Sequence, residues 1–146
     1  PRTLADMTCW LGIDHGTRRI GLAVGHTESG IAAPLAVIAA EPFDHAIHAI
    51  RRAASDHDAD ALVVGLPLNM DDTEGPQARL ARAAGERIAC ALGLPVRFAD
   101  ERLSSFAADA ALAGKYTRKQ RKARQDAVAA ADMLQTFLDT DPAPPE

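Results

Sequence analysis

Three acidic positions fall at the ends of predicted elements, which is where an open α/β sheet gathers its reacting groups. Asp14 closes the first apolar run, Asp100 and Glu101 follow the last predicted strand directly, and Asp126 opens the last predicted helix. If those ends converge, carboxylates cluster on one edge of the sheet. An all-oxygen ligand set of that kind suits a hard divalent cation, Mg²⁺ or Mn²⁺, which keeps several waters and takes few protein ligands. Two such ions about 4 Å apart clamp the attacking and leaving oxygens of a phosphodiester in an in-line displacement. The plainer alternative is that Asp14 and Asp126 only cap loops or helices, Asp126 suiting the positive end of a helix dipole.

A cationic run lies immediately before Asp126. Residues 115–124, KYTRKQRKAR, carry six positive charges and no negative one, on a chain whose net charge is −4. The other 136 residues hold ten Lys and Arg against twenty Asp and Glu. Lys115, Arg118, Lys119, Arg121, Lys122 and Arg124 exceed what solubility asks of a surface loop, and beside candidate metal ligands they would hold a phosphate backbone without reading its sequence. Arg18 and Arg19 in the first hairpin are suited to bidentate phosphate contacts, although the Arg19 stem could equally pack on the sheet. Aromatics for base stacking are scarce: Tyr116 is the one in the run, and the chain is 4% aromatic. Recognition of backbone or shape is therefore expected.

The elements that must position these groups read as follows. Residues 8–14 and 20–25 are short apolar runs with Gly16, Thr17 and two arginines between them, a hairpin; 31–39 supplies a third strand beside the second. Asp44 caps a helix over about 44–57, with Ile47, Ile50 and Ala54 on one face. ALVVG (61–65) is apolar on both faces and reads as a buried parallel strand. Residues 75–93 form a helix with Pro76 in its first turn, Leu80, Ala84, Ile88 and Ala91 on its face, and Gly93 at its end. Residues 95–99 make the fifth strand. Ser104 or Ser105 opens a helix to about Ala113, the basic loop follows, and 126–138 forms the last helix with Ala127, Ala130, Ala131, Leu134, Phe137 and Leu138 on its apolar face. Three consecutive strands followed by alternating helices and strands describe a mixed sheet with helices on both faces.

At 146 residues the chain is expected to be one domain, over 1–138, with a disordered Pro-rich acidic tail over 139–146. Cys9 and Cys90 stand far apart in no metal-ligand spacing and read as small buried apolar residues. No apolar run reaches the roughly 18–20 residues of a membrane span, and the first residues carry no apolar stretch of signal-peptide type. The expectation is a cytoplasmic protein without membrane attachment.

Asp14-His15-Gly16-Thr17, with Gly21 beyond, resembles the phosphate-binding hairpin of actin-like ATPases and sugar kinases, but 146 residues leave no room for their second domain and adenosine motif. A wider resemblance runs in order along almost the whole chain. LGIDHGTRRIGLAVG (11–25), VVGLPLNMDDTEGPQA (63–78), ADERLSS (99–105) and DAVAAADMLQTFL (126–138) resemble the four signatures of the YqgF/RuvX family. These are bacterial RNase H-like proteins linked to Holliday junction resolution or to maturation of the 5′ end of pre-16S rRNA. The resemblance implies an RNase H-like fold: a mixed five-stranded sheet of three antiparallel and two parallel strands with helices on both faces. It implies that Asp14, Glu101 and Asp126 are the catalytic, metal-binding acids, with Glu101 rather than Asp100 the ligand, and that Asn69 positions substrate. Asp72 departs from the pattern, since the family carries glycine there, and this leaves the shape of the 69–74 loop open. His15 is expected to be a solvated loop residue, and Arg102 to orient the Glu101 carboxylate.

The expected function is a hydrolase: a nuclease that uses one or two Mg²⁺ or Mn²⁺ ions to cut structured nucleic acid, precursor ribosomal RNA before branched DNA. The competing readings are a Holliday junction resolvase acting in DNA repair, a nucleic-acid-binding ribosome assembly factor without catalysis, and an enzyme of small phosphate esters. Junction cleavage would require a homodimer, because two strands must be cut at matched positions. No apolar stripe announces an interface, so a monomer fits equally.

Overall fold

A computed structural model describes residues 7–103 and 118–140. Five strands form one sheet: β1 (Cys9–His15), β2 (Arg19–His26), β3 (Ile31–Ala39), β4 (Ala61–Leu66) and β5 (Val96–Asp100). Their order across the sheet is β3-β2-β1-β4-β5. β1, β2 and β3 pair antiparallel, whereas β4 runs parallel to β1 and β5 parallel to β4. The mixed sheet of three antiparallel and two parallel strands is therefore the one expected. Its connections are short hairpins on one side and helical crossovers on the other, the only way to bring parallel strands together.

Helices α1 (Phe43–Asp56) and α2 (Pro76–Leu92) cover one face, and α3 (Arg118–Asp139) covers the other. The strand alternation assigns each side chain to its layer. Leu11, Ile13, Ile20, Leu22, Leu62 and Val64 pack with Ile50 of α1 and Ile88 of α2. Trp10, Ala23, Ala61 and Val63 pack with Leu134, Phe137 and Leu138 of α3, and the Trp10 and Phe137 rings meet edge to face at 4.9 Å. Gly12, Gly21 and Gly25 lie under α3, so that helix comes close to the strands there. All six residues of β4 are buried, as the continuous apolar run foretold. Among the described residues, no helix is long and apolar enough to cross a membrane.

Four local expectations change. The first concerns α1, which is not capped by Asp44. Its N-cap residue is Pro42, extended and without a side-chain cap, and Asp44 stands inside the first turn, where a carboxylate still suits the dipole.

The second concerns α2, whose inward face is rotated from the one expected: Ala84 and Ile88 are buried as foreseen, Leu80 and Ala91 are not. Ala78, Ala81, Ala84, Gly85, Ile88 and Ala89 are buried, while Leu80 is 53% exposed and Ala91 is exposed. The small residues win because the helix lies tight on the sheet: a Cβ on Gly85 would stand 2.9 Å from Phe98 Cε1 and 3.0 Å from Val64 Cγ2. The same rotation exposes Cys90, expected to be buried, whereas Cys9 is buried as foreseen. Leu80→Ala should accordingly leave stability within about 0.5 kcal/mol of the parent, while Ile88→Ala should cost about 2–5 kcal/mol. Chemical denaturation of the two variants checks the rotation, and equal losses would contradict it.

The third change is in α3, which spans Arg118–Asp139 rather than beginning at Asp126. Arg118, Lys119, Arg121, Lys122 and Arg124 are thus carried on helical backbone instead of a loop. The run from Arg118 to Asp139 has no Gly or Pro and is rich in Ala, Arg, Lys and Gln, all strong helix formers, so charge density was a poor sign of a loop. The fourth is at the far end of α3: the helix reaches Asp139, so the expected tail loses its first residue to the helix. Lys115, Tyr116, the expected helix from Ser104 or Ser105 to Ala113, and residues 141–146 of the tail lie outside the described residues.

Candidate active site

Asp14 is the penultimate residue of β1, and in the antiparallel register it stands directly opposite Gly21 of β2. A Cβ on Gly21 would collide with the backbone carbonyl of Asp126, so the α3 backbone rests on that glycine. On the other flank of β1, Val64 of β4 pairs with Ile13, and Gly65 follows it level with Asp14. A Cβ on Gly65 would collide with the Glu101 side chain. Glu101 itself begins a 3₁₀ turn (Glu101–Leu103) straight after β5. Two glycines on the strands flanking Asp14 therefore seat the other two acids: one lets the α3 backbone come down, and the other leaves room for the Glu101 carboxyl. Sequence reasoning missed both. Their signal was present, since a glycine inside a strand often marks the close approach of another group.

The three acids do not stand alike. Asp14 and Glu101 come into contact, their carboxyl groups sharing a side-chain hydrogen bond. Burial, that hydrogen bond and the neighbouring charges of Asp14 and Asp100 raise the pKa of Glu101 far above the ordinary carboxylate range. Asp126 is held from the side, its Oδ2 accepting from Arg19 Nε at 2.6 Å. It is the ninth residue of α3 as described, more than two turns in, so the helix-capping alternative fails for it. Among the described residues, no three Asp, Glu, His or Cys side chains stand ready as a metal-ligand set.

Asp100 and Glu101, adjacent in sequence, are sorted into different roles. Asp100 is gripped by Arg102, which donates to both its oxygens at 2.7–3.1 Å; these hydrogen bonds hold its pKa below the usual carboxylate value. Arg102 also donates to the Asn69 carbonyl at 2.7 Å and to Asp72 Oδ1 at 2.6 Å. It does not bond Glu101, contrary to expectation; it fixes the turn that carries Glu101 and ties the 69–74 loop to it. Asp72 takes the left-handed backbone a glycine would favour, at φ 70°, and uses its side chain to join this clamp. Asn69 is exposed in that loop, its Nδ2 donating to Thr73 Oγ1 at 3.0 Å.

Of the hairpin residues, Thr17 and Arg18 are exposed at the tip, and Arg19 is committed to Asp126. His15 is half-buried at the end of β1 rather than solvated. Burial lowers its pKa against the opposing pull of Asp14 and Glu41, and its Nδ1 has no hydrogen-bond partner among the described residues.

A family model described as RuvX, Holliday junction resolvase, matches residues 8–140. A protein of Anaeromyxobacter sp. (strain K) named "Putative pre-16S rRNA nuclease" is 44% identical over 130 residues, covering 88% of this chain and 95% of that one. A protein of the same name from Chloroflexus aggregans is 42% identical over 130 residues, 88% of this chain and 92% of its own length. Among solved structures, T. thermophilus RuvC in complex with a Holliday junction substrate superposes with a TM-score of 0.58 at 20% identity, over 95% of this chain and 99% of that one. The fowlpox virus Holliday junction resolvase gives 0.54 at 10% identity, over 90% and 99%. At these identities the structural likeness speaks for the shared RNase H-like fold.

Proposed function

Because the chain belongs to the RuvX family, we propose that it is a nuclease hydrolysing phosphodiester bonds of structured nucleic acid, with precursor 16S ribosomal RNA as its first substrate. The observation that carries this reading is the contact of the Asp14 and Glu101 carboxyl groups at the end of the sheet, one strand away from the point where Asp126 crosses Gly21. Two acids pressed together at a cost in ionisation are what a cation-binding pair looks like before its cation. The donor set therefore fits a divalent ion, Mg²⁺ or Mn²⁺, held by Asp14 and Glu101 and joined by Asp126 once its carboxylate turns from Arg19. Such an ion, alone or paired with a second, would supply an activated water and stabilise charge developing on the phosphate.

The rest of the site falls to this chain's own groups. Arg19 holds Asp126 over β2, and Arg102 holds the turn that presents Glu101. Arg18 at the hairpin tip, Asn69, and the cations from Lys115 to Arg124 contact the phosphate backbone and set the strand against the acids. We assign residues 8–140, the span of the family match, to this one nuclease domain. Cleavage of a four-way junction would further need a symmetric dimer.

The test incubates purified protein with a labelled structured RNA and with a four-way DNA junction, each in Mg²⁺, Mn²⁺ or EDTA. Metal-dependent cutting of the RNA in preference to the junction is expected. Cutting of the junction alone would move the reading to a resolvase. Binding that survives EDTA, with no cutting under any condition, would overturn the nuclease reading in favour of an assembly factor.

A further inference from the structure

Arg19 and Gly21 leave β2 on the same face, two residues apart, and one residue of α3 meets both. The Asp126 carbonyl lies over Gly21, and its Oδ2 accepts from Arg19 Nε at 2.6 Å. Asp14 stands opposite Gly21 on β1, at the strand spacing of about 4.8 Å. The main chain of Asp126 is thus fixed beside Asp14 by the glycine, whereas its carboxylate is held by the arginine. Turning that carboxylate toward Asp14 asks for side-chain rotation and no movement of α3. The other two acids are engaged as well, Asp14 and Glu101 sharing a hydrogen bond. The free chain therefore keeps its acids in pairs, and among the described residues no three of them form a ready ligand set.

The Arg19 pairing is easily exchanged. The Arg19 and Asp126 side chains are 33% and 27% exposed, and an ion pair so open to water is weakly held. A phosphate offers the guanidinium two oxygens in the geometry it prefers, so it competes well with the carboxylate. Phosphate is also what the surroundings attract. Arg18 is exposed at the hairpin tip, and the five cations from Arg118 to Arg124 lie on the α3 backbone just ahead of Asp126. The charge that a cation meets changes with the exchange. While Arg19 faces Asp126, its positive charge cancels that carboxylate, and a cation approaching Asp14 and Glu101 finds less to hold it. With Arg19 on a phosphate, Asp126 regains its full charge beside Asp14.

We infer that Arg19 is a positioning residue that works as a latch: it keeps the Asp126 carboxylate out of the cation site until a substrate phosphate takes the guanidinium in exchange. This rests on the nuclease reading above. Cation and nucleic acid then strengthen one another's binding by the same factor, because both draw on the one exchange. The site becomes complete only with a strand in place. A fixed bridge that merely aims Asp126 at the cation would behave oppositely, since removing Arg19 would then weaken cation binding.

The test measures binding on the full chain rather than cutting. Mn²⁺ is titrated without nucleic acid and followed by electron paramagnetic resonance, with circular dichroism to confirm the fold of each variant. Arg19→Gln should bind Mn²⁺ about fivefold tighter than the parent, the release of one exposed ion pair. Arg19→Lys, which keeps the charge and the pair, should stay at the parent's affinity. The gain should vanish when Arg19→Gln is made in an Asp126→Asn background, because no carboxylate is left to release. A labelled RNA hairpin, confirmed uncut, is then bound in Ca²⁺ and in EDTA at equal ionic strength and followed by anisotropy. The parent should bind it about tenfold tighter in Ca²⁺, and Arg19→Gln by about threefold or less. Mn²⁺ affinity in Arg19→Gln equal to or below the parent's overturns the latch. So does a gain that persists beside Asp126→Asn, which would be the field of the arginine alone, and so does equal coupling to the hairpin in parent and variant. A parent that binds neither Mn²⁺ nor the hairpin removes the nuclease reading itself, and the latch with it.

Discussion

Glu101→Gln should yield a protein that melts higher than the parent at neutral pH and no longer cuts. The stability gain follows from the carboxyl pair. The folded-state pKa of Glu101 is raised above its ordinary value of 4.5 by burial, by its hydrogen bond to Asp14 and by the Asp14 and Asp100 charges. A carboxyl raised in this way binds its proton more tightly in the folded chain than in the unfolded one. Its contribution to stability is full below the unfolded pKa and is lost as pH rises through the folded pKa. The parent should therefore weaken relative to the glutamine variant as pH climbs from about 4.5, and the two should converge below it. At neutral pH the variant should be more stable by on the order of 1–3 kcal/mol, since the amide can still donate to Asp14 and, unlike the carboxyl, does not have to take up a proton on folding.

Activity should move the other way, falling about 10³-fold or more, the several kcal/mol that a metal-ion site supplies to the transition state. Asp14→Asn should behave alike, relieving the same contact and removing the other acid of the pair. Melting curves from pH 4 to pH 8, run beside the cleavage assay with unchanged circular dichroism, read both effects. A variant that melts lower than the parent at neutral pH would mean the two carboxyls do not crowd each other. Retained cutting would remove Glu101 from the chemistry.

Among the described glycines, Gly21→Ala is expected to be the most damaging single-methyl change. The added carbon collides with the carbonyl of Asp126 and crowds the peptide beyond it, and neither is the yielding end of a flexible side chain. Either α3 lifts off the sheet or β2 bends, and both pull Leu134, Phe137 and Leu138 away from Trp10 and Ala23. Overpacking of this kind typically costs about 1–3 kcal/mol, and because the obstacle here is main chain, the cost should fall at the top of that range or beyond. Asp126 moves with its helix, so cutting should fall even in the folded fraction. Denaturant unfolding together with the cleavage rate per folded molecule separates the two losses. A variant as stable and as active as the parent would show that α3 does not rest on Gly21.

Much of this was legible from residues 1–146 alone. Runs of alternating and continuous apolar residues are local, and they located all five strands to within about two residues, because side-chain alternation and burial act on neighbours in sequence. Chain order then implied the mixed sheet, since consecutive strands pair as hairpins and strands separated by helices return in parallel. Asp14 and the pair Asp100-Glu101 were visible for the same reason, as acids closing apolar runs; the preference for Glu101 came from the family resemblance, and Asp126, expected to open a helix, stands inside α3.

What only the tertiary structure decided depends on residues far apart in sequence. Which face of α2 turns inward was settled by how closely Gly85 lets it approach Phe98 and Val64, so Leu80 lost to smaller residues. The sorting of Asp100 from Glu101 was settled by Arg102 reaching one and Asp14 the other. The capture of Asp126 by Arg19 spans 107 positions. In each case the local pattern allowed several outcomes of nearly equal energy, and a contact formed only on folding chose between them.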